Sequence, residues 1–457
     1  MLNRRRFIQS LVAAAALPAA SLEVRAADRK IGPLKADPNQ LLDLPSDFRY
    51  RVVSQIGTPM ADGFAVPGSH DGMAAFSGAD GRIVLVTNHE LAPSEQRLSA
   101  FASADESAFR GALDKLYDAG GGSTPAAGGT TTTIYNSKTG TTERQHLSLA
   151  GTELNCAGGA TPWGTWLSCE ECFKNPGVAM QKFRIVMRDK PHGYVFEVPA
   201  DATGLVDAIP IKAMGRFEHE AAAVHQQTGI VYMTEDRYHS LFYRYIPNVP
   251  GQLLEGGRLQ ALAIIGRTSF ATHNWDKRPD MRLREPLAIH WIDIENPDPA
   301  DNYLRLYGAK AGAATFARGE GLCTDGKEFA FTCTIGGRAR LGQVFNYQPS
   351  PFEGTERETE APGQLTLIAE AGEESLLRMC DNITMAPWGD LIVCEDDETQ
   401  HSGLIGIRPD GSQYQLADNA YSDSELAGVC FAPDGKTLFV NVQYPGTTVA
   451  ITGPWPS

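Results

Sequence analysis

Beyond its first two dozen residues this chain has almost no helical periodicity, and nowhere an apolar run of the roughly 20 residues that a membrane-crossing helix needs. It has no Gly-rich phosphate loop and no Ser-His-Asp arrangement, which excludes loop-cradled nucleotide hydrolysis and serine-hydrolase chemistry. Positive charge is scarce: 40 Lys and Arg face 55 Asp and Glu, a net charge of −15. That balance argues against a nucleic-acid partner and against an anionic membrane surface. An acidic chain can still bind an anionic substrate if its carboxylates first bind cations. Cys169-x-x-Cys172 has no second such pair and no paired histidines, so it is not a zinc signature, nor does it sit in a thioredoxin-like βα context. Several of the eight cysteines lie in apolar strand patterns, as in Phe331-Thr332-Cys333 and Ile392-Val393-Cys394, and read as core. In an oxidising compartment an even count also permits disulfides, whose pairing the spacing does not fix.

What is present begins at the N-terminus. Asn3-Arg4-Arg5-Arg6-Phe7-Ile8-Gln9 precedes the short apolar run 11–16, and the Ala-rich stretch closes near Val24-Arg25-Ala26. A charged start, a short apolar middle and a small-residue cleavage site describe an export signal, here residues 1–26. The Arg-Arg-x-Phe-Ile core matches the twin-arginine type, which exports folded proteins. A periplasmic or secreted location is therefore expected.

The rest of the chain, 42% hydrophobic, is large enough for a sizeable core. Short β-rich runs dominate, separated by Gly, Pro, Asp and Asn turns; strands are expected at 83–87, 163–168, 230–234, 329–334, 391–394 and 437–441, among others. Residues 99–118 suggest a short helix leading into a Gly-rich linker at 119–129, while 276–302 and 349–363 read as polar insertions. A loose repeat of six hairpins emerges, each opening on a polar residue, crossing a small-residue turn and closing on a polar cluster. The openings are His70-Asp71-Gly72, Asn155-Cys156-Ala157, Glu218-His219-Glu220, Gly319-Glu320-Gly321, Asp381-Asn382-Ile383 and Ser424-Glu425-Leu426. The closings are Asn88-His89-Glu90, Cys169-Glu170-Glu171, Glu235-Asp236-Arg237, Thr332-Cys333-Thr334, Glu395-Asp396-Asp397 and Asn441-Val442-Gln443. The expected fold is all-β: a single six-bladed β-propeller over residues 40–453, with loop insertions. A sandwich of short strands would not put one polar cluster on every repeat at the same phase.

In a propeller the innermost strands start at one mouth of the central channel, so the six openings converge there. The converging set is rich in oxygen donors: Asp71, Glu90, Glu170, Glu171, Glu220, Glu235, Asp236, Glu320, Asp381, Asn382, Glu395, Asp396 and Glu425. Such carboxylates repel unless cations lie between them. Oxygen-rich sites suit calcium or manganese, and an added thiolate or imidazole points to iron or zinc. Cys156 is the thiolate candidate; His70, His89 and His219 are candidate nitrogen donors. Glu153–Cys172 alone supplies thiolate, amide and carboxylates at the two ends of one hairpin, crossing a Gly158-Gly159 turn. Arg318, two positions from Glu320 on one face of an extended segment, could grip a phosphoryl group bidentately.

The run Asn155-Cys156-Ala157-Gly158-Gly159-x-Thr161-Pro162-Trp163-Gly164-Thr165-Trp166-x-x-Cys169-Glu170-Glu171 resembles the signature of the PhoX-type alkaline phosphatases. Gly215-Arg216-Phe217-x-His219-Glu220-Ala221 and Arg318-x-Glu320-Gly321 resemble further motifs of that family. The resemblance implies a propeller holding iron and calcium at its channel mouth and hydrolysing phosphate monoesters. Carried over by motif, it implies Cys156, Glu220 and Glu320 as iron ligands. Glu170 or Glu171 and other acidic residues, among them Asp71, Glu90, Glu235, Asp236, Glu395 and Asp396, would be further ligands. Catalysis would fall to Arg318, Glu320 and Cys156. Adjacent Glu170 and Glu171 point to opposite faces of a strand, so both serve only if the strand twists or ends there. The expected partners are a small phosphomonoester and, during export, the twin-arginine translocase; the protein is expected as a monomer. Two other readings compete: a calcium-dependent propeller lactonase or arylesterase, which has no use for a thiolate, and a non-catalytic binding propeller.

Overall fold

In a computed structural model the described residues are 31–104, 106–276, 281–397 and 402–456. The expected signal, 1–26, lies outside them. The described chain is mostly β, in a propeller-like arrangement. Six inner strands, His70–Ser77, Asn155–Ala160, His219–Val224, Gly319–Thr324, Cys380–Met385 and Leu426–Phe431, lie side by side in sequence order. The last returns against the first, so the six form a closed ring around a central axis.

From each inner strand an antiparallel meander runs outward. The second strands are Ile83–His89, Thr165–Glu170, Val231–Glu235, Phe329–Cys333, Leu391–Glu395 and Leu438–Val442. These are the apolar, β-branched and aromatic runs that the sequence pattern picks out. The inner strands are not: NCAGGA, HEAAAV and GEGLCT are poor in strand-forming residues. They are strands because the ring requires small residues where six backbones converge. A Cβ on Gly159 would lie 1.9 Å from the Ala222 carbonyl oxygen, and one on Gly72 would lie 2.5 Å from the Ala157 Cα. Gly158-Gly159 is therefore strand rather than turn, and the hairpin turns between Ala160 and Thr165, at the Pro162-Trp163-Gly164 turn signal.

The N-terminal segment closes the ring. Arg49–Gln55 pairs antiparallel with the last strand, Thr447–Thr452, and completes its sheet. Leu42–Pro45 adds to the outer edge of the preceding sheet through Gln413–Asn419. Helix Glu106–Ala112 falls within the stretch where a short helix is expected. The polar insertion expected at 276–302 is in part a strand. Leu287–Asp293 pairs with Gly257–Ile264 and touches Gln364–Glu370 of the neighbouring meander, joining two meanders into one nine-stranded sheet. Its charged and Pro-rich flanks obscured the apolar pattern LAIHWID. Between these meanders Tyr232, Phe242, Phe331, Phe345 and Tyr347 form one buried aromatic cluster. Each such side chain contributes about 1.5–3 kcal/mol of burial.

Candidate metal centre

Every inner strand carries a β-bulge at the same phase, two residues from its start or nearly so. The register breaks between His70 and Met73, Asn155 and Gly158, His219 and Ala222, Gly319 and Leu322, Cys380 and Ile383, and Ala427 and Cys430. A bulge re-aims the side chain it carries. In five of the six, the first bulged residue offers a metal donor: Asp71, Cys156, Glu220, Glu320 and Asp381. In the sixth it is Gly428, held at φ +62° against the Asp71 carbonyl oxygen, and the acidic residue is Glu425, three positions earlier. The residue just before four of the inner strands adopts a left-handed conformation: Ser69, Leu154, Arg318 and Met379. For non-glycine residues this costs energy and marks a constrained turn into the bulge. Side chains on the second strands brace the bulges from behind. Asn88 donates to the Cys156 and Ala157 carbonyls, Thr234 to Glu320, Thr332 to Asp381, and Asn441 to Asp71.

These side chains meet in a cavity of about 320 Å³ at one mouth of the ring. Among the described residues its carboxylates are Asp71, Glu90, Glu171, Glu220, Asp236, Glu320, Asp381, Asp396, Asp423 and Glu425, its thiol is Cys156, and its cation is Arg318. Three groups have donor atoms within 4.8 Å of one another: Cys156 with Glu171 and Glu220, Glu220 with Glu320 and Asp381, and Asp71 with Glu90 and Glu425. Glu220 belongs to two of them and could bridge adjacent ions. Buried and packed this closely, these carboxylates resist carrying their charges together. Burial, and then neighbouring carboxylates, push Glu90, Glu171, Glu220, Glu320, Asp381 and Glu425 well above the usual carboxylate range, and Asp71 up to about 6. Burial also raises the Cys156 thiol, whose Sγ lies 3.3 Å from the His219 carbonyl oxygen. A donor set with this much negative charge and one arginine fits cations, which would reverse each of these shifts.

Arg318 is bound on one side. Its Nε and Nη2 donate to Asp236 at 2.8–3.2 Å, and Nη2 lies 3.0 Å from Glu320 Oε1. Burial opposes its charge, but Glu320 and Asp236 outweigh that and hold it protonated. Arg318 is not on an extended segment with Glu320, as the two-residue spacing suggested. Its φ of +55° turns it, and the bulge at Glu320 brings the two side chains back together.

Three of the acidic residues expected as ligands face elsewhere, for one shared reason. Glu170, Glu235 and Glu395 are each the last residue of a second strand, and the residues after them, Glu171, Asp236 and Asp396, line the cavity. Pleating sends successive side chains to opposite faces. Glu170 accepts from the backbone N–H of Glu153, Gly193 and Tyr194 and meets His192 Nδ1 at 2.6 Å. Glu235 accepts from Leu241 N and Tyr243 Oη, and Glu395 from Arg378 N and Gly403 N. The histidines also point away: His70 is bonded to Thr448 and Pro67, His89 to Gly68 and Thr131, and His219 through Nε2 to Gly215. All eight cysteines are free, so Cys169 and Cys172 form no disulfide. Asp423 and Gln443 line the cavity as well, and Gln443 bridges Asp71 and Glu90. Gln443 follows its second strand as Glu171 follows its own, and that shared phase was the readable signal.

A ring-shaped β fold with a bulge-built carboxylate and thiol cluster at its mouth defines a propeller with a candidate metal site. The chain belongs to the PhoX alkaline phosphatase family: residues 29–446 match the family described as "Alkaline phosphatase PhoX". It is thus a metal-dependent phosphatase, a phosphoric monoester hydrolase. Among solved structures, PhoX from Pseudomonas fluorescens in complex with vanadate, a transition-state analogue, shares the fold. It has 18% identity, a TM-score of 0.66, and coverage of 93% of this chain and 98% of that one. A gluconolactonase from Xanthomonas campestris, XC5397, is 11% identical with a TM-score of 0.41, covering 93% of this chain and 99% of that one. No curated protein matches the sequence.

Proposed function

We propose that the cluster holds iron and calcium and that the protein acts outside the cytoplasm. The three donor groups meeting in one cavity around Arg318 carry this reading. Cys156, Glu171 and Glu220 would hold iron, because a thiolate adds softness that calcium does not use. Glu220, Glu320 and Asp381 would hold the neighbouring ion, and the all-oxygen group of Asp71, Glu90 and Glu425 suits calcium. When bound, the ions supply charge neutralisation for the phosphoryl oxygens and activate the attacking water. The chain's own contribution is positioning. Asp236 and Glu320 clamp one edge of Arg318, so its guanidinium is aimed at the phosphoryl group without reorganising as charge develops there. Glu171, Asp396 and Gln443 complete the wall and keep the ester in the cavity. The twin-arginine motif of residues 1–26 supports export to the periplasm or beyond, and the ring closed by the chain's own N-terminal strand supports the monomer reading.

Metal analysis of the exported protein, together with assays on p-nitrophenyl phosphate and on a lactone, tests this. Bound iron and calcium with phosphate release are expected. Calcium alone with lactone opening would overturn the reading. In Cys156→Ser, iron content and activity are expected to fall together while calcium is retained.

A further inference from the structure

We propose that the recess beside the metal cavity is the leaving-group subsite, shaped for an aromatic leaving group that carries its own negative charge. The proposal rests on the reading of the cavity as the phosphoryl site. The recess, about 220 Å³, shares Glu171, Asp236 and Arg318 with the cavity, so a phosphoryl group at Arg318 sits on the boundary between the two. An ester bound there can extend its organic part into the recess.

The recess differs in chemistry from the cavity it adjoins. Two rings line it, Phe173 and Tyr238. Phe173 is backed by the Arg216 guanidinium, 4.0 Å from its ring centroid. Tyr238 is 62% exposed, a large ring left open at the mouth. A flat leaving group packed on these rings gains apolar burial and ring-on-ring contact. Past the shared wall the charged groups are Lys174 and Arg237 against Glu218. The Glu218 carboxylate already accepts two bonds from Asn302 Nδ2, at 2.8 and 2.9 Å, and lies 3.8 Å from Arg237. The part of the recess beyond the shared wall therefore holds two cations against one carboxylate, while on the shared wall Asp236 is paired with Arg318 and Glu171 belongs to the metal-ligand set. Its placement is not left to a loose loop. Tyr238 pairs with Ala317, and the Arg318 N–H donates to the Arg237 carbonyl at 3.1 Å, so the segment carrying Arg237 and Tyr238 is hydrogen-bonded to the segment carrying the phosphate-gripping arginine. The ring and the second anion would thus be read in fixed register with the phosphoryl group.

Three substrates separate the contributions: glycerol 2-phosphate, phenyl phosphate and 4-carboxyphenyl phosphate. Measuring the wild-type to variant ratio of kcat/KM for each cancels their different intrinsic reactivities. In Lys174→Ala and Arg237→Ala the loss on 4-carboxyphenyl phosphate is expected to exceed that on phenyl phosphate about 5-fold, and to appear mainly in KM. In Tyr238→Ala the losses on both aryl esters are expected to exceed that on glycerol 2-phosphate by about 5–10-fold. Calorimetry with 4-carboxybenzylphosphonate and benzylphosphonate, which are not hydrolysed, gives a readout free of turnover and should show the same ratios in Kd. Metal content equal to wild type confirms that each variant keeps the centre. Equal losses on all three substrates, or no loss on any, would overturn the subsite. Should the wild type release phosphate from none of them, the phosphatase reading itself fails and takes this proposal with it, whereas hydrolysis without these ratios removes the subsite alone.

Discussion

At the scale of single residues, Arg318 carries the most function per atom. Its two bonds to Asp236 require the planar fork of a guanidinium, which a lysine cannot supply. Arg318→Lys is expected to lower kcat/KM on the order of 10²-fold while metal content stays constant, because the charge survives and only its alignment is lost. Steady-state kinetics with parallel metal analysis checks this. His192 makes the opposite case, a residue whose work is structural. Burial disfavours its charge, but Glu170, Asp118 and Glu153 around it outweigh that and raise its pKa to about 10. A raised histidine pKa stabilises the fold fully below the ordinary value of about 6.5, and the contribution fades as pH climbs through about 10. The melting temperature of the wild type should fall across that window, and in His192→Gln this slope should largely vanish. That variant should also be less stable by about 3–5 kcal/mol below pH 7, since it leaves Glu170 and Asp118 buried without their cation while Glu153 keeps Arg188. Thermal melts from pH 6 to 10.5 decide it. Glu170 and Glu171 show what is legible at this scale. Both read as acidic and adjacent, yet only the point where the strand ends says which one turns inward.

At the scale of elements, the repeated unit is a bulged inner strand, and its cost is tight packing against the next one. A Cβ on Gly321 would lie 2.7 Å from both the Asn382 Cα and the Asp381 carbonyl oxygen. Gly321→Ala is expected to push the two inner strands apart and destabilise by about 1–3 kcal/mol. It should also weaken metal retention, because Glu320 and Asp381 sit on the strands displaced. Denaturant unfolding and metal content measured on the same sample test the two effects together. The second strands were readable from apolar runs, but the inner strands were not. Glycine and alanine have little intrinsic strand preference, and these residues are extended only because the ring excludes larger ones. The strand Leu287–Asp293 was hidden by its charged neighbours for a related reason: edge pairing with Gly257–Ile264 overrides local composition.

At the scale of the whole molecule, the acidic balance becomes a dependence on cations. Carboxylates whose native pKa values lie above their unfolded ones bind more protons when folded, so without ions their burial costs stability increasingly as pH rises above about 4. Chelated protein should therefore melt lower than metal-loaded protein, and by more at pH 8 than at pH 5. A metal-free protein equally stable at both values would show that the cluster does not need its ions. Closure belongs to this scale as well, since the strand Arg49–Gln55 completes a sheet whose other members lie some four hundred residues later.

The sequence alone determined the all-β class, the repeat and its phase, the donor chemistry of the openings, and the family resemblance carried by Asn155–Glu171. These are local properties, set by residue type and by spacing along one strand. Only the tertiary structure decided which carboxylates share the cavity, that Gly428 stands where the sixth donor would be, and that Arg318 meets Glu320 through a left-handed turn and a bulge. It decided as well that Glu170, Glu235 and Glu395 bond within the fold, away from the cavity. The physical reason is the pleat: one residue of register sends a side chain to the opposite face, and register is set by bulges and by strands distant in the chain.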